Sequence, residues 1–159
     1  MPTALDSLQA TQQFAVRIAK KLKRTDVLLL KGDLGAGKTT LAQGIIRALS
    51  QQPVEVTSPT FTLLQTYPVM LADGECELWH YDLYRVEHPS ELAELGMDEA
   101  FEHGISLIEW PERLGDALPP QHVTITLKLT GQGEGRLATV TATGDASGTW
   151  SSLHETSGS

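Results

Sequence analysis

The stretch Gly32-Asp33-Leu34-Gly35-Ala36-Gly37-Lys38-Thr39-Thr40 decides the fold of this chain. It fits G-x-x-x-x-G-K-[ST], the phosphate-binding loop, and its flanks suit that reading. Ahead of it, Asp26-Val27-Leu28-Leu29-Leu30-Lys31 is a short apolar run, the pattern of a strand buried on both faces of a parallel sheet. Behind it, Leu41, Ile45 and Leu49 recur at helical spacing and give a helix with one apolar stripe. In such a loop, glycines let backbone N–H groups and the helix N-terminus point at a polyphosphate. Asp33, Gly35, Ala36, Gly37, Lys38, Thr39 and Thr40 are therefore the expected nucleotide-binding residues. Lys38 is placed to reach the β- and γ-phosphates, and the Thr39 hydroxyl to ligate Mg²⁺.

Hydrolysis needs more than the loop: an acid for the metal, a group that orients water, and often a residue that senses the γ-phosphate. Open α/β sheets bind ligands beyond the C-terminal ends of their strands, so acids that end strands are the candidates. Glu109 follows the apolar run Ile105-Ser106-Leu107-Ile108, and Asp82 ends Leu78-Trp79-His80-Tyr81. Thr60, in Thr57-Ser58-Pro59-Thr60 after the first loop-helix unit, stands where a γ-phosphate-sensing threonine would, or caps a turn. Arg85 and Arg113 read equally as charge stabilisers or salt-bridge partners, and Trp110 as a stacking group or a core-edge filler.

The bulk properties set limits. The 159 residues suffice for one domain with its own core. A net charge of −8 and a pI near 5.0 argue against a chain that grips DNA or RNA alone, since that takes clustered Lys and Arg. The densest basic group, Lys20, Lys21, Lys23 and Arg24, closes a helix and complements its dipole. Cys76 is the single cysteine, so no internal disulfide forms, and it reads as a passive thiol. No apolar run reaches membrane-spanning length and no signal-peptide pattern opens the chain, which points to a cytoplasmic protein. The five histidines match no zinc template and read as ordinary surface or structural residues.

Along the chain, Leu8, Phe14, Ala15, Ile18 and Leu22 predict a helix from Ser7 to Lys23 with Asp6 or Ser7 as N-cap. Pro53 to Val56 reads as extended. Phe61 to Tyr67 and Glu77 to Tyr81 read as strands of a hairpin around Ala72-Asp73-Gly74-Glu75. Helical turns are expected over Pro89–Leu95 and Asp98–Glu102, stopped by Gly96 and Gly104, and a short helix or loop over Pro111–Leu118. Val123–Leu129 and Arg136–Thr143 predict a second hairpin. The expected architecture is one α/β domain over residues 1–143, its mixed sheet parallel near the nucleotide and antiparallel in the C-terminal hairpin, flanked by helices. The Ser/Gly/Thr-rich residues 144–159 read as a disordered tail.

Taken together, the phosphate loop, Ser58-Pro59-Thr60-Phe61, Tyr81-Asp82-Leu83-Tyr84-Arg85 and Ile108-Glu109-Trp110-Pro111-Glu112 resemble, in order and spacing, the TsaE (YjeE) family. The resemblance spans about residues 5–143. It implies the P-loop NTPase-like fold, ATP hydrolysis with Mg²⁺, and service to threonylcarbamoyl modification of adenosine in tRNA alongside TsaB and TsaD. On matching positions it implies Mg²⁺ at Thr39 and Glu109 and a catalytic role for Asp82, with Lys38. One departure is that Val56-Thr57 stands where the family usually has a basic residue before Ser-Pro-Thr. Two other functions fit a phosphate loop. A small-molecule kinase wants an arginine-bearing lid, whereas the segment between Asp82 and Glu109 is acidic, with Glu87, Glu91, Glu94, Asp98, Glu99 and Glu102. A non-catalytic nucleotide-dependent adaptor needs only binding. A GTPase is excluded, because its Asn-Lys-x-Asp base reader requires asparagine and the chain has none.

Overall fold

The apolar run after Asp26 is the middle of a sheet. The computed structural model describes residues 3–33, 36–50, 56, 64–130 and 135–143. Gly35, most of the expected extended piece Pro53 to Val56, Thr60 with the Ser58-Pro59-Thr60-Phe61 segment, and residues 131–134 and 144–159 lie outside the described residues. In chain order the elements are β1 (Thr3–Leu5), α1 (Leu8–Lys21), β2 (Val27–Lys31), α2 (Lys38–Leu49), β3 (Leu64–Leu71) and β4 (Gly74–Asp82). A 3-10 helix (Pro89–Leu95) and α3 (Met97–His103) lead to β5 (Ile105–Glu109). A second 3-10 segment (Pro111–Ala117) precedes β6 (His122–Thr130) and β7 (Gly135–Thr143).

The seven strands run β1-β7-β6-β2-β5-β4-β3. β2 pairs in parallel with β5 and β6, and β5 with β4, while β3–β4, β6–β7 and β1–β7 are antiparallel. The mixed sheet is thus as the sequence predicts, with an antiparallel hairpin at each flank. Pro68, which lacks an N–H, is tolerated because β3 is an edge strand. β1 escapes prediction because three residues are too short to show a period.

Side chains alternate along each strand, so β2 sends Leu28 and Leu30 to one core and Val27 and Leu29 to the other. α1 and α2 cover the first face; α3 and the 3-10 segments cover the second. The predicted stripe of α2 is buried at Leu41, Ile45 and Leu49, joined by Ala42 and Ile46. Gly44 is where the two helices touch: a Cβ there would lie 2.8 Å from that of Ala15.

Ser7 is the N-cap of α1, its hydroxyl accepting from the Ala10 N–H at 3.0 Å. The helix ends at Lys21 rather than Lys23, because Asp26 takes the Lys23 N–H into a turn at 2.8 Å. Lys20 and Lys21 do occupy the last turn, but Arg24 reaches across to Asp73 and the Glu75 carbonyl. Pro89–Leu95 is a 3-10 helix, since Pro89 and the left-handed Gly96 confine it to about two turns. Cys76 is buried, and burial pushes its thiol up, which fits a passive role. Among the described residues, no helix is long and apolar enough to cross a membrane.

Candidate functional site

Three parallel strands deliver their ends to one place. β2 runs into the phosphate loop, β5 ends on Glu109, and β4 ends on Asp82, with Asp82 and Glu109 in register. α2 begins at Lys38, so Lys38, Thr39 and Thr40 meet the two acids. Together with Gly37, Tyr84, Arg85, Trp110 and Arg136 they line an open cavity of about 380 Å³. Of the expected nucleotide-binding residues, Asp33 is exposed at the loop and Ala36 is buried beneath it. Arg113 does not line the cavity; it lies exposed on the 3-10 segment, its N–H donating to the Trp110 carbonyl at 3.1 Å.

The loop's first glycine has no room for a side chain. Gly32 has φ +150°, and a Cβ there would lie 2.6 Å from the Leu127 carbonyl oxygen of β6. Gly32→Ala should therefore cost about 1–3 kcal/mol of stability, read as a lowered midpoint in chemical denaturation.

Lys38 is only 5% exposed. Its ammonium donates to the Gly32 carbonyl and sits 3.6 Å from the centroid of the Trp110 ring. Burial pulls its pKa below the ordinary lysine value, while Glu109, then Glu112, Asp82 and Asp33, act in the opposite sense. Trp110 holds this position from a left-handed backbone, φ 60° and ψ 52°, which a non-glycine residue adopts only at a cost of about 1–3 kcal/mol. Tyr84 backs the Trp110 ring at 4.9 Å. Trp110 is thus neither a simple core filler nor free: it covers the loop lysine.

The acids differ in their surroundings. Glu109 is 2% exposed and both its oxygens are engaged. The Thr39 hydroxyl donates to Oε1 at 2.9 Å, and Nε2 of His80 lies 2.7 Å from Oε2. Asp82 is 5% exposed and faces the cavity, its Oδ1 accepting from the Tyr84 N–H at 3.1 Å. Thr39 and Glu109 with Asp82 form a set of hard oxygen donors, suited to Mg²⁺. Among the described residues no three His, Cys, Asp or Glu side chains converge on a metal position.

Of the histidines read as surface or structural residues, His80 is of the second kind: it is fully buried against Glu109. Strand period places His80 on the face of β4 that carries Asp82, but its contact with Glu109 depends on the pairing of β4 with β5. Arg136 carried no local signal. It comes from β7, its Nε donating to the Ala36 carbonyl at 3.0 Å, which ties β7 to the phosphate loop. Arg136→Gln should weaken nucleotide binding by about tenfold through loss of a charged contact, with fold stability little changed. Titration calorimetry with ATP and a thermal melt check both halves.

This fold, a phosphate loop between a central parallel strand and a helix with strand-end acids beside it, is that of the P-loop NTPases. The family model "Threonylcarbamoyl adenosine biosynthesis protein TsaE" matches residues 5–137. The chain is 41% identical over 138 residues to the Bacillus subtilis tRNA threonylcarbamoyladenosine biosynthesis protein TsaE, covering 86% of this chain and 82% of that one. It is 40% identical over 125 residues to the protein of the same name from Rickettsia prowazekii, covering 79% and 84%. The crystal structure of Bacillus subtilis YdiB superposes with a TM-score of 0.75 at 32% identity, over 98% of this chain and 94% of that one. The chain belongs to the TsaE family of threonylcarbamoyl adenosine biosynthesis proteins.

Proposed function

We propose that this member of the family is a Mg²⁺-dependent ATPase that acts with TsaB and TsaD in the cytoplasm, coupling hydrolysis to threonylcarbamoyl modification of adenosine in tRNA. The observation that carries the reading is the convergence of Lys38 and Thr39 with Glu109 and Asp82 around one cavity. Thr39 and Glu109 would hold Mg²⁺, which supplies charge neutralisation for the β- and γ-phosphates. Lys38 leaves the Trp110 face and the Gly32 carbonyl to meet the phosphates. Asp82, which lines the same cavity, would orient the attacking water and accept its proton. The catalytic group is then Lys38, Asp82 and Glu109.

The nucleoside end of ATP is assigned to a neighbouring cavity of about 270 Å³ lined by Asp6, Ser7, Leu8 and Thr11. It shares Gly37, Thr40 and Arg136 with the phosphate cavity. Asp82 and Glu109 line only the phosphate cavity, which supports the γ-phosphate lying there and the base lying on the side of Asp6 and Ser7.

Two observations support a slow ATPase that depends on partners. The resting Lys38 is already occupied by a carbonyl and a ring, so productive binding has contacts to break. A net charge of −8 leaves tRNA contact to the partners. A small-molecule kinase is disfavoured because Glu87, Glu91, Glu94, Asp98, Glu99 and Glu102 are all exposed and would repel a phosphorylated substrate. Steady-state ATPase and tRNA-modification assays test the proposal, with the protein alone and with TsaB–TsaD. Weak turnover alone, a changed rate with the pair, and multiple-turnover modification only with all three plus ATP are expected. Tight tRNA binding by the isolated chain, or modification without hydrolysis, would instead make it an adaptor.

A further inference from the structure

We propose that His80 is a positioning residue that holds the Glu109 carboxylate in place as the protein's anionic ligand for the nucleotide-borne cation; this rests on the nucleotide reading above. His80 and Glu109 have side-chain exposures of 0% and 2%, and their contact is 2.7 Å. Burying an imidazole and a carboxylate is costly unless they hydrogen-bond, so the pair is a specific contact rather than a packing accident. Glu109 has two attachments, and they are unequal in permanence. The Thr39 hydroxyl on Oε1 rotates about one bond and is itself the expected metal ligand. The His80 ring on Oε2 is locked in the core, so it holds the carboxylate whichever way Thr39 turns.

The strand geometry adds a second role to the same contact. His80 and Asp82 project from one face of β4, and Asp82 pairs with Glu109 across to β5. Through its backbone His80 is tied to one acid, and through its ring to the other. By holding Oε2, the ring fixes where the Glu109 carboxylate lies relative to Asp82.

The other nitrogen shows that packing alone does not account for this residue. His80 Nδ1 is buried and has no hydrogen-bond partner among the described residues. A leucine or phenylalanine would fill the site without that orphan, which carries a desolvation penalty. What an apolar residue could not do is donate from Nε2 to Oε2. Groups that orient a metal ligand from behind commonly change metal affinity or activity by about 10–100-fold when removed.

The test measures ATP affinity by calorimetry in EDTA and across a Mg²⁺ titration, with a thermal melt for each protein. His80→Leu should bind ATP in EDTA as the wild type does, but need about tenfold more Mg²⁺ or greater to reach its tight-binding state. His80→Gln places an amide N–H near the Nε2 position and should restore most of the Mg²⁺ response. His80→Asn, one methylene shorter, should behave like the leucine variant, and the Gln/Asn contrast decides the matter if the leucine variant does not fold. In a Glu109→Gln background, His80→Leu should add no further loss, because both act through one carboxylate. An unmoved Mg²⁺ midpoint in all His80 variants, or equal defects in Gln and Asn, overturns the proposal and leaves His80 as core. If wild-type protein binds no ATP with or without Mg²⁺, the nucleotide reading falls and this inference with it.

Discussion

Lys38→Ala should lower kcat/KM for ATP by at least about 10²–10³-fold, the usual cost of removing one preorganised charged donor from a transition-state site. The backbone cradle of the loop survives the change, so residual nucleotide binding through N–H groups is expected. What is lost is the buried ammonium, close to the two acids and held by the Gly32 carbonyl and the Trp110 ring. The same geometry says the apo protein will not unfold. Burial already pulls the Lys38 pKa down, so its charge is a strain on the resting state rather than a support. Steady-state ATPase assays with a parallel melting curve read both parts. Normal turnover in Lys38→Ala would remove the phosphate-loop assignment outright.

The second large effect separates the two acids by the kind of defect. Asp82→Asn should cut kcat by about 10²–10⁴-fold while ATP affinity is largely kept, as expected for loss of a general base. The substitution is mild structurally, since an asparagine oxygen can still accept the Tyr84 N–H that Asp82 Oδ1 accepts at 3.1 Å. Glu109→Gln should show its defect in the Mg²⁺ requirement, because it weakens the donor set beside Thr39 and leaves only one acceptor oxygen for Thr39 and His80. Single-turnover hydrolysis over a Mg²⁺ series distinguishes them. A metal-dependent defect in Asp82→Asn, with a metal-independent one in Glu109→Gln, would exchange the two roles.

The phosphate loop, its strand and its helix were legible because their signals are local. Glycine spacing, an apolar run buried on both faces and a stripe at helical spacing all sit within about two dozen residues. Glu109 and Asp82 were legible for a related reason: each ends a strand, and the ends of parallel strands converge by topology. The mixed sheet, with parallel pairs at its centre and a C-terminal hairpin, follows from the same patterns. The family was legible too, from four short motifs in order.

What the tertiary structure alone decided involves contacts between residues far apart in the chain. Arg136 reaches Ala36 across a separation of 100 residues. The Trp110 ring folds back over Lys38 through a left-handed backbone that no tryptophan propensity announces. His80 reads as an ordinary histidine until β4 is laid beside β5, and then it is found against Glu109. The physical reason is the same in each case. Local sequence sets backbone conformation and the face a side chain occupies. Which group occupies the other side of a buried contact is set by strand order and register, and those depend on how the whole sheet assembles.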